Sequence, residues 1–147
     1  MNTHCKRAAG FTLIETLVAM AIAAILSSVA YPSYQTQLLK ARRADALVAV
    51  HQVQMAQERW RANHPTYAAI ADLALASTSP RGHYAITVTS IDRQRYEVHA
   101  SASGTQANDS SCSHLRLTVD GGNTLYASGL DASVGNATEA NRRCWSL

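Results

Sequence analysis

Lysine is almost absent from this chain. Of thirteen basic side chains in 147 residues only Lys6 and Lys40 are lysines; the other eleven are arginines. Large aromatics are scarce too, with one phenylalanine, two tryptophans and six tyrosines. That is too few for a large aromatic core or for a platform that stacks several bases. Charged residues make up only 16% of the chain against 47% hydrophobic. This balance excludes both a disordered chain and a histone-like polycation. The length leaves room for one domain and no second large one. The six histidines (His4, His51, His64, His83, His99 and His114) are scattered, and none lies at metal-ligand spacing from a cysteine or another histidine. No serine sits in a nucleophile-elbow context. Gly121-Gly122 belongs to no phosphate-cradling motif. Asp120, Asn123 and Asp131 do not follow the spacing of a calcium loop. The expectation is a protein that is no enzyme and that holds no metal or cofactor.

Charge and cysteine are unevenly divided. The formal net charge is +3, but Lys6 and Arg7 fall in the first ten residues. Beyond them eleven basic residues face ten acidic ones, a net charge of +1. Cys5 lies in the same short segment. The remaining pair, Cys112 and Cys144, is an even number that suits one disulfide in an oxidising compartment.

Residues 1–10, MNTHCKRAAG, are polar and basic. From Phe11 the chain turns apolar, and no charged residue occurs between Glu15 and Lys40. As a helix, residues 11–31 would extend about 30 Å, enough to cross a bilayer. Lys6 and Arg7 would hold the N-terminus in the cytoplasm. Lys40, Arg42 and Arg43 on the far side run against that charge rule and are read as the start of a folded segment. A secretory signal peptide cut after Ala30 and a plain membrane anchor both fit the apolar run. Neither has a use for Glu15, a carboxylate that costs roughly 2–3 kcal/mol near the centre of a membrane helix and calls for a partner.

Gly10-Phe11-Thr12-Leu13-Ile14-Glu15, behind a basic leader and ahead of an unbroken apolar helix, resembles the prepilin processing motif of type IV pilins and pseudopilins. The resemblance implies a leader over 1–10, a membrane and filament-core helix over 11–31, and a periplasmic, later extracellular, globular domain over 32–147. It implies cleavage between Gly10 and Phe11 by a prepilin peptidase that also methylates Phe11. It gives Glu15 a partner, the terminal amine of a neighbouring subunit, and so a part in assembly. The implied partners are other pilin subunits and the inner-membrane assembly machinery of a Gram-negative envelope. The chain would cross the inner membrane once, with its C-terminus periplasmic, before it enters an extracellular pilus.

The rest of the chain is read on the same lines. Pro32 interrupts the helical pattern just past the apolar run. Beyond it Tyr34, Leu38, Ala41, Ala44, Val48 and Met55 recur at helical spacing, with Gln37, Arg42, Arg43, Asp45, Gln52 and Glu58 between them. This predicts an amphipathic continuation of the same helix to about Asn63, ended by Asn63-His64-Pro65. Residues 66–76 are ambiguous between a short helix and a loop. From His83 the period changes to two. Strands are expected at 84–88, 96–100 and 115–119, with a hairpin at Asp120-Gly121-Gly122-Asn123 and a fourth, edge strand over 124–127. The fold class is α+β: a long N-terminal helix, apolar then amphipathic, packed on an antiparallel sheet of three to four strands. Residues 128–141 are small, polar and without period. The pilin resemblance implies a C-terminal loop bounded by a Cys112–Cys144 disulfide, and the ending Cys144-Trp145 resembles PilE-like members.

The arginines remain. Arg42-Arg43, Arg59 with Arg61, Arg93 with Arg95, and Arg142-Arg143 form four small clusters. Arg93 and Arg95 would share a face if extended, and Arg142-Arg143 would sit in the exposed loop. Some minor pilins of natural-competence systems bind DNA, and arginine suits bidentate phosphate contact. The alternative is a solvated surface with ion pairs to Asp45, Glu58, Asp92, Glu97 and Glu139. The functional expectation is a structural, minor type IV pilin subunit. DNA uptake through Arg93, Arg95, Arg142 and Arg143, or a type II secretion pseudopilin, are its alternatives.

Overall fold

The structure is a computed structural model and describes residues 10–89 and 91–147. The leader residues Cys5, Lys6 and Arg7 lie outside the described residues. The elements in chain order are α1 (Leu13–Arg61), β1 (Tyr84–Thr89), β2 (Arg95–Ala102), a 3-10 turn (Gly104–Asn108), β3 (His114–Asp120), β4 (Asn123–Gly129) and α2 (Thr138–Trp145). Two compact units divide the chain. One ends at Thr36 and the other runs Gln37–Leu147.

In the first unit α1 opens with a reciprocal cap. The Glu15 amide donates to Thr12 Oγ1 at 3.3 Å, and the Thr12 amide donates to Glu15 Oε2 at 3.5 Å. Thr and Glu three residues apart satisfy amides that the first helical turn leaves without partners. Pro32 lies inside the helix without ending it. The Thr36 hydroxyl donates to the Pro32 carbonyl at 3.1 Å. The apolar window of α1 is long enough to cross a membrane and is unburied.

The second unit holds the core. Its sheet is an antiparallel meander in the order β1-β2-β3-β4. Asp120 pairs with Asn123 around a two-residue loop. Gly121 and Gly122 have φ of +55° and +86°, the left-handed backbone of a type I′ hairpin that glycine adopts at no steric cost. Alternation places Tyr84 and Ile86, Tyr96, Val98 and Ala100, and Leu115, Leu117 and Val119 on the inner face. Against them lie Ala46, Ala49, Val50 and Val53 of α1.

The buried face of α1 is therefore not the one that the spacing of its larger apolar residues predicts. Tyr34, Val48 and Met55 are 64%, 49% and 52% exposed, while Asp45 and Gln57 are buried. Small alanines and valines let the sheet approach the helix closely. The two buried polar residues are satisfied by backbone: Gln57 donates to the Ala68 carbonyl at 2.7 Å and accepts from the Ala68 amide at 2.9 Å. Asp45 accepts from the Ser79 hydroxyl at 2.5 Å and from the Arg81 and His83 amides at 3.0 and 3.3 Å. Both anchor the chain that follows α1 back onto the helix, Gln57 within the segment 66–76 that is ambiguous in the sequence and Asp45 at the turn after it.

The C-terminal segment is the main departure. In place of an irregular loop it contains α2, which covers the outer edge of β4. Asn141 Nδ2 donates to the Tyr126 carbonyl at 2.7 Å, Trp145 Nε1 to the Ala127 carbonyl at 3.0 Å, and the Asn136 amide to the Ser128 carbonyl at 3.0 Å. A Cβ at Gly129 would meet Val134 Cα at 2.8 Å, so only glycine admits this close return of the tail. The β1 edge is covered as well, by an isolated bridge from Thr78 to Ala85 and by the Ile86 amide donating to the Ser77 carbonyl at 2.7 Å.

Candidate functional site

Glu15 sits in the first turn of α1 and is engaged there by Thr12 of its own chain. Gly10 has open space around the position a side chain would take. At the other end of the chain Cys112 and Cys144 form a disulfide with their Cα atoms 5.6 Å apart. Both cysteines are buried. The bond ties the last turn of α2 to the residue two before β3.

The arginines are distributed by the sheet. Arg93 lies in the β1–β2 turn and not in an extended strand, so it does not share a strand face with Arg95. The Gln94 carbonyl beside it accepts from the Gly121 amide of the β3–β4 turn at 3.0 Å. Arg142 and Arg143 lie in the last turn of α2, a helix and not a loop, where cations complement the helix C-terminus. β3 runs from the disulfide end to the Gly121 turn, about 20 Å at strand rise. The two sequence clusters are thus at opposite ends of the sheet, not in one patch.

Few of these cations are neutralised. Arg43 binds Asp109 bidentately at 2.7 and 2.8 Å. Arg95 contacts Glu97 at 2.5 Å and Asp120 at 3.6 Å. The hydrogen bond to Glu97 raises the Arg95 pKa further, and the same guanidinium holds the Glu97 carboxyl below its ordinary range despite burial. Among the described residues, the other nine cations beyond Gly10 have no carboxylate within 4.0 Å. Of the five acids named as partners Glu97 does pair with Arg95, while two are engaged elsewhere. Asp45 holds the 79–83 turn, and Asp92 accepts the Gln94 and Arg95 amides at 2.6 Å each, which holds its carboxyl low. Arg42 is placed 2.8 Å from the neutral Thr105 hydroxyl. Arg61 lies 5.0 Å from the centre of the Tyr67 ring.

A cleft of about 520 Å³ opens at the disulfide end, between α1 and α2. Lys40, Arg43, Cys112, Ala140 and Arg143 line it. In the sequence Arg43 stands out only as part of the Arg42-Arg43 cluster, and Lys40 only as a cation that follows the apolar run. The signal that marks them is that they are the first cations after the apolar run.

A helix that is apolar and then amphipathic, an antiparallel four-stranded sheet packed on its second half, and a disulfide bounding the C-terminal region make up the type IV pilin fold. The family model described as type IV minor pilin ComP, DNA uptake sequence receptor, matches residues 32–116, more than half of the chain, and the chain belongs to that family. The prokaryotic N-terminal methylation motif matches residues 5–31. Among curated proteins the chain is similar to the fimbrial protein of Neisseria meningitidis serogroup A / serotype 4A. It is 32% identical over 112 residues, 74% of this chain and 62% of that protein. It is also similar to the type IV major pilin protein PilE1 of Neisseria gonorrhoeae, 33% identical over 96 residues, 60% of this chain and 41% of that one. The match thus spans less than two thirds of either relative.

Proposed function

We propose that this chain is a minor subunit of a type IV pilus. It is stored in the inner membrane through residues 11–31 with its C-terminus periplasmic, and is cut after Gly10 and methylated at Phe11 by a prepilin peptidase. It then assembles with other pilins through α1. The observation that carries this reading is the unburied apolar stretch of α1, whose first turn holds the one carboxylate of residues 11–31, Glu15. Among the described residues that carboxylate engages only the Thr12 amide of its own chain. The terminal amine of an adjacent subunit is a stronger partner in a lipid-like setting. Glu15→Val should leave membrane insertion and the intact mass of the processed N-terminus unchanged but lower incorporation into filaments at least tenfold. Wild-type incorporation of the variant would remove the pairing role.

The chain also binds DNA in this proposal, as the description of its family says of that family's receptor. The nine cations without a carboxylate partner support this over the reading of a surface neutralised by ion pairs. Arg93, Arg142 and Arg143 are the candidates; Arg95 is committed to Glu97 and Asp120. Full-length protein in a nonionic detergent should retard a DNA duplex in a gel, with affinity falling steeply as salt rises. Each arginine that contacts a phosphate should lower the slope of log affinity against log salt by about one when replaced by alanine. Absence of retardation at low salt would dismiss the DNA role and leave the assembly role standing.

A further inference from the structure

The cleft between α1 and α2 has a chemistry that neither assembly nor DNA binding requires. Lys40 and Arg143 enter it with no carboxylate partner, and Arg43, fixed by Asp109, forms its wall. Asp109 is taken up by Arg43, and neither Glu139 nor the C-terminal carboxylate forms an ion pair with Lys40 or Arg143. The rest of the lining is small: Ala140 and Cys112 of the disulfide, with Ser111 and Ser146. Two unpaired cations with small apolar and hydroxyl-bearing neighbours, in a concave space of about 520 Å³, match a single phosphodiester joined to a small glycerol-like body. A DNA duplex presents a convex rod of evenly spaced phosphates and calls for a row of cations, not a pocket.

The chain also limits which phosphates the cleft meets. Lys40 lies nine positions after Tyr31, and none of the eight residues between them is charged. Nine residues span at most about 30 Å even when extended, and about 14 Å as the helix they form. Chain length alone therefore keeps Lys40, a lining residue of the cleft, within about 30 Å of any membrane that holds residues 11–31. Basic residues so close to a membrane segment are drawn to anionic headgroups. We infer that the cleft formed by Lys40, Arg43 and Arg143 binds the headgroup phosphate of an anionic phospholipid, phosphatidylglycerol in class, while the subunit is held in the membrane. This rests on the membrane reading of residues 11–31 given above. It also accounts for the three cations that follow the apolar run against the usual charge rule: Arg42 and Arg43 are folded into the domain, and Lys40 serves the cleft.

Lys40 is the one lysine beyond residue 10, which supplies a probe. Isotopic dimethylation of the processed full chain labels that lysine and keeps its charge. The labelled protein is placed in nanodiscs of phosphatidylcholine alone and of an equimolar phosphatidylcholine–phosphatidylglycerol mixture, and the Lys40 methyl resonance is followed. The expected result is a shift that depends on phosphatidylglycerol. In detergent micelles titrated with short-chain phosphatidylglycerol, Arg143→Glu should weaken the same response by roughly tenfold or more. Arg143→Gln should give a smaller loss, and Arg93→Glu, at the far end of the sheet, no loss. Unchanged thermal melts confirm that the variants are folded. No phosphatidylglycerol-dependent shift, or one that Arg143→Glu and Arg143→Gln leave intact, overturns the assignment. A shift on adding a short DNA duplex but not lipid overturns it in favour of DNA. Failure of the wild type to enter nanodiscs at all overturns the membrane reading itself, a separate outcome.

Discussion

Replacing Cys112 and Cys144 together by alanine is expected to lower the stability of the folded domain by about 4 kcal/mol. The two cysteines are 32 residues apart in sequence. Closing a loop of that length removes about that much chain entropy from the unfolded ensemble. Both side chains are buried, so the cavity left by two missing sulfurs adds to the loss. The Trp145 and Asn141 hydrogen bonds to β4 remain, so α2 still has its docking site, but it is held there by contacts of about 1 kcal/mol each. Urea unfolding of the two forms measures the effect. The midpoint should fall and the slope rise, because the unlinked unfolded chain exposes more surface. A loss under 1 kcal/mol would mean that the tail is held equally well without its covalent tie.

The second large effect is expected at Asp45→Ala, about 3 kcal/mol. Three donors lose their acceptor at once: the buried Ser79 hydroxyl and the amides of Arg81 and His83. Ser79 also receives the Tyr84 amide and donates its own amide to the Tyr84 carbonyl, so the entry to β1 loosens with it. A buried donor left unpaired costs about 1–3 kcal/mol; the two amides, partly accessible to water, cost less. The effect carries a pH signature. Burial alone would raise the Asp45 carboxyl, but the hydrogen bonds from Ser79, Arg81 and His83 outweigh it and hold the group below its ordinary value. A depressed folded-state value means that the contribution is full above the unfolded pKa of about 4 and is lost as pH falls through the lower folded one. The stability gap between wild type and Asp45→Ala should therefore be constant near neutrality and narrow below about pH 4. A gap that stays constant to pH 2 would show that the carboxylate charge has no part in the anchor.

The sequence makes the long helix and the sheet legible because both depend on local pattern. The Gly121-Gly122 turn and the alternation around it in β3 and β4 need no tertiary information. The face that α1 buries is different. Its amphipathic half carries two apolar stripes, one of larger residues such as Val48 and Met55 and one of Ala46, Ala49, Val50 and Val53. Size favours the first, while the fit to the sheet selects the second. The helix α2 is hard to see in the sequence because it is only eight residues long and mostly polar, with Ala140, Cys144 and Trp145 as its apolar residues. What fixes it is a bond from 32 residues away and side-chain donors aimed at β4. The cation clusters are similarly misread by adjacency. Arg42 and Arg43 are neighbours in sequence, yet one is set against Thr105 and the other against Asp109, 66 residues away. Lys40 and Arg143, 103 positions apart, line one cleft because the disulfide and the hydrogen bonds to β4 bring the chain end back.

Covering both sides of the sheet also restricts how copies of this chain can join. Strand margins with free amides and carbonyls are templates for ribbon growth. Here one margin is occupied by the 77–79 segment and the other by the last helix. Sticking by backbone zippering is thus largely closed off, even at the crowding of a subunit reservoir. Under the assembly role proposed above, copies join through α1 and not through the margins of the sheet.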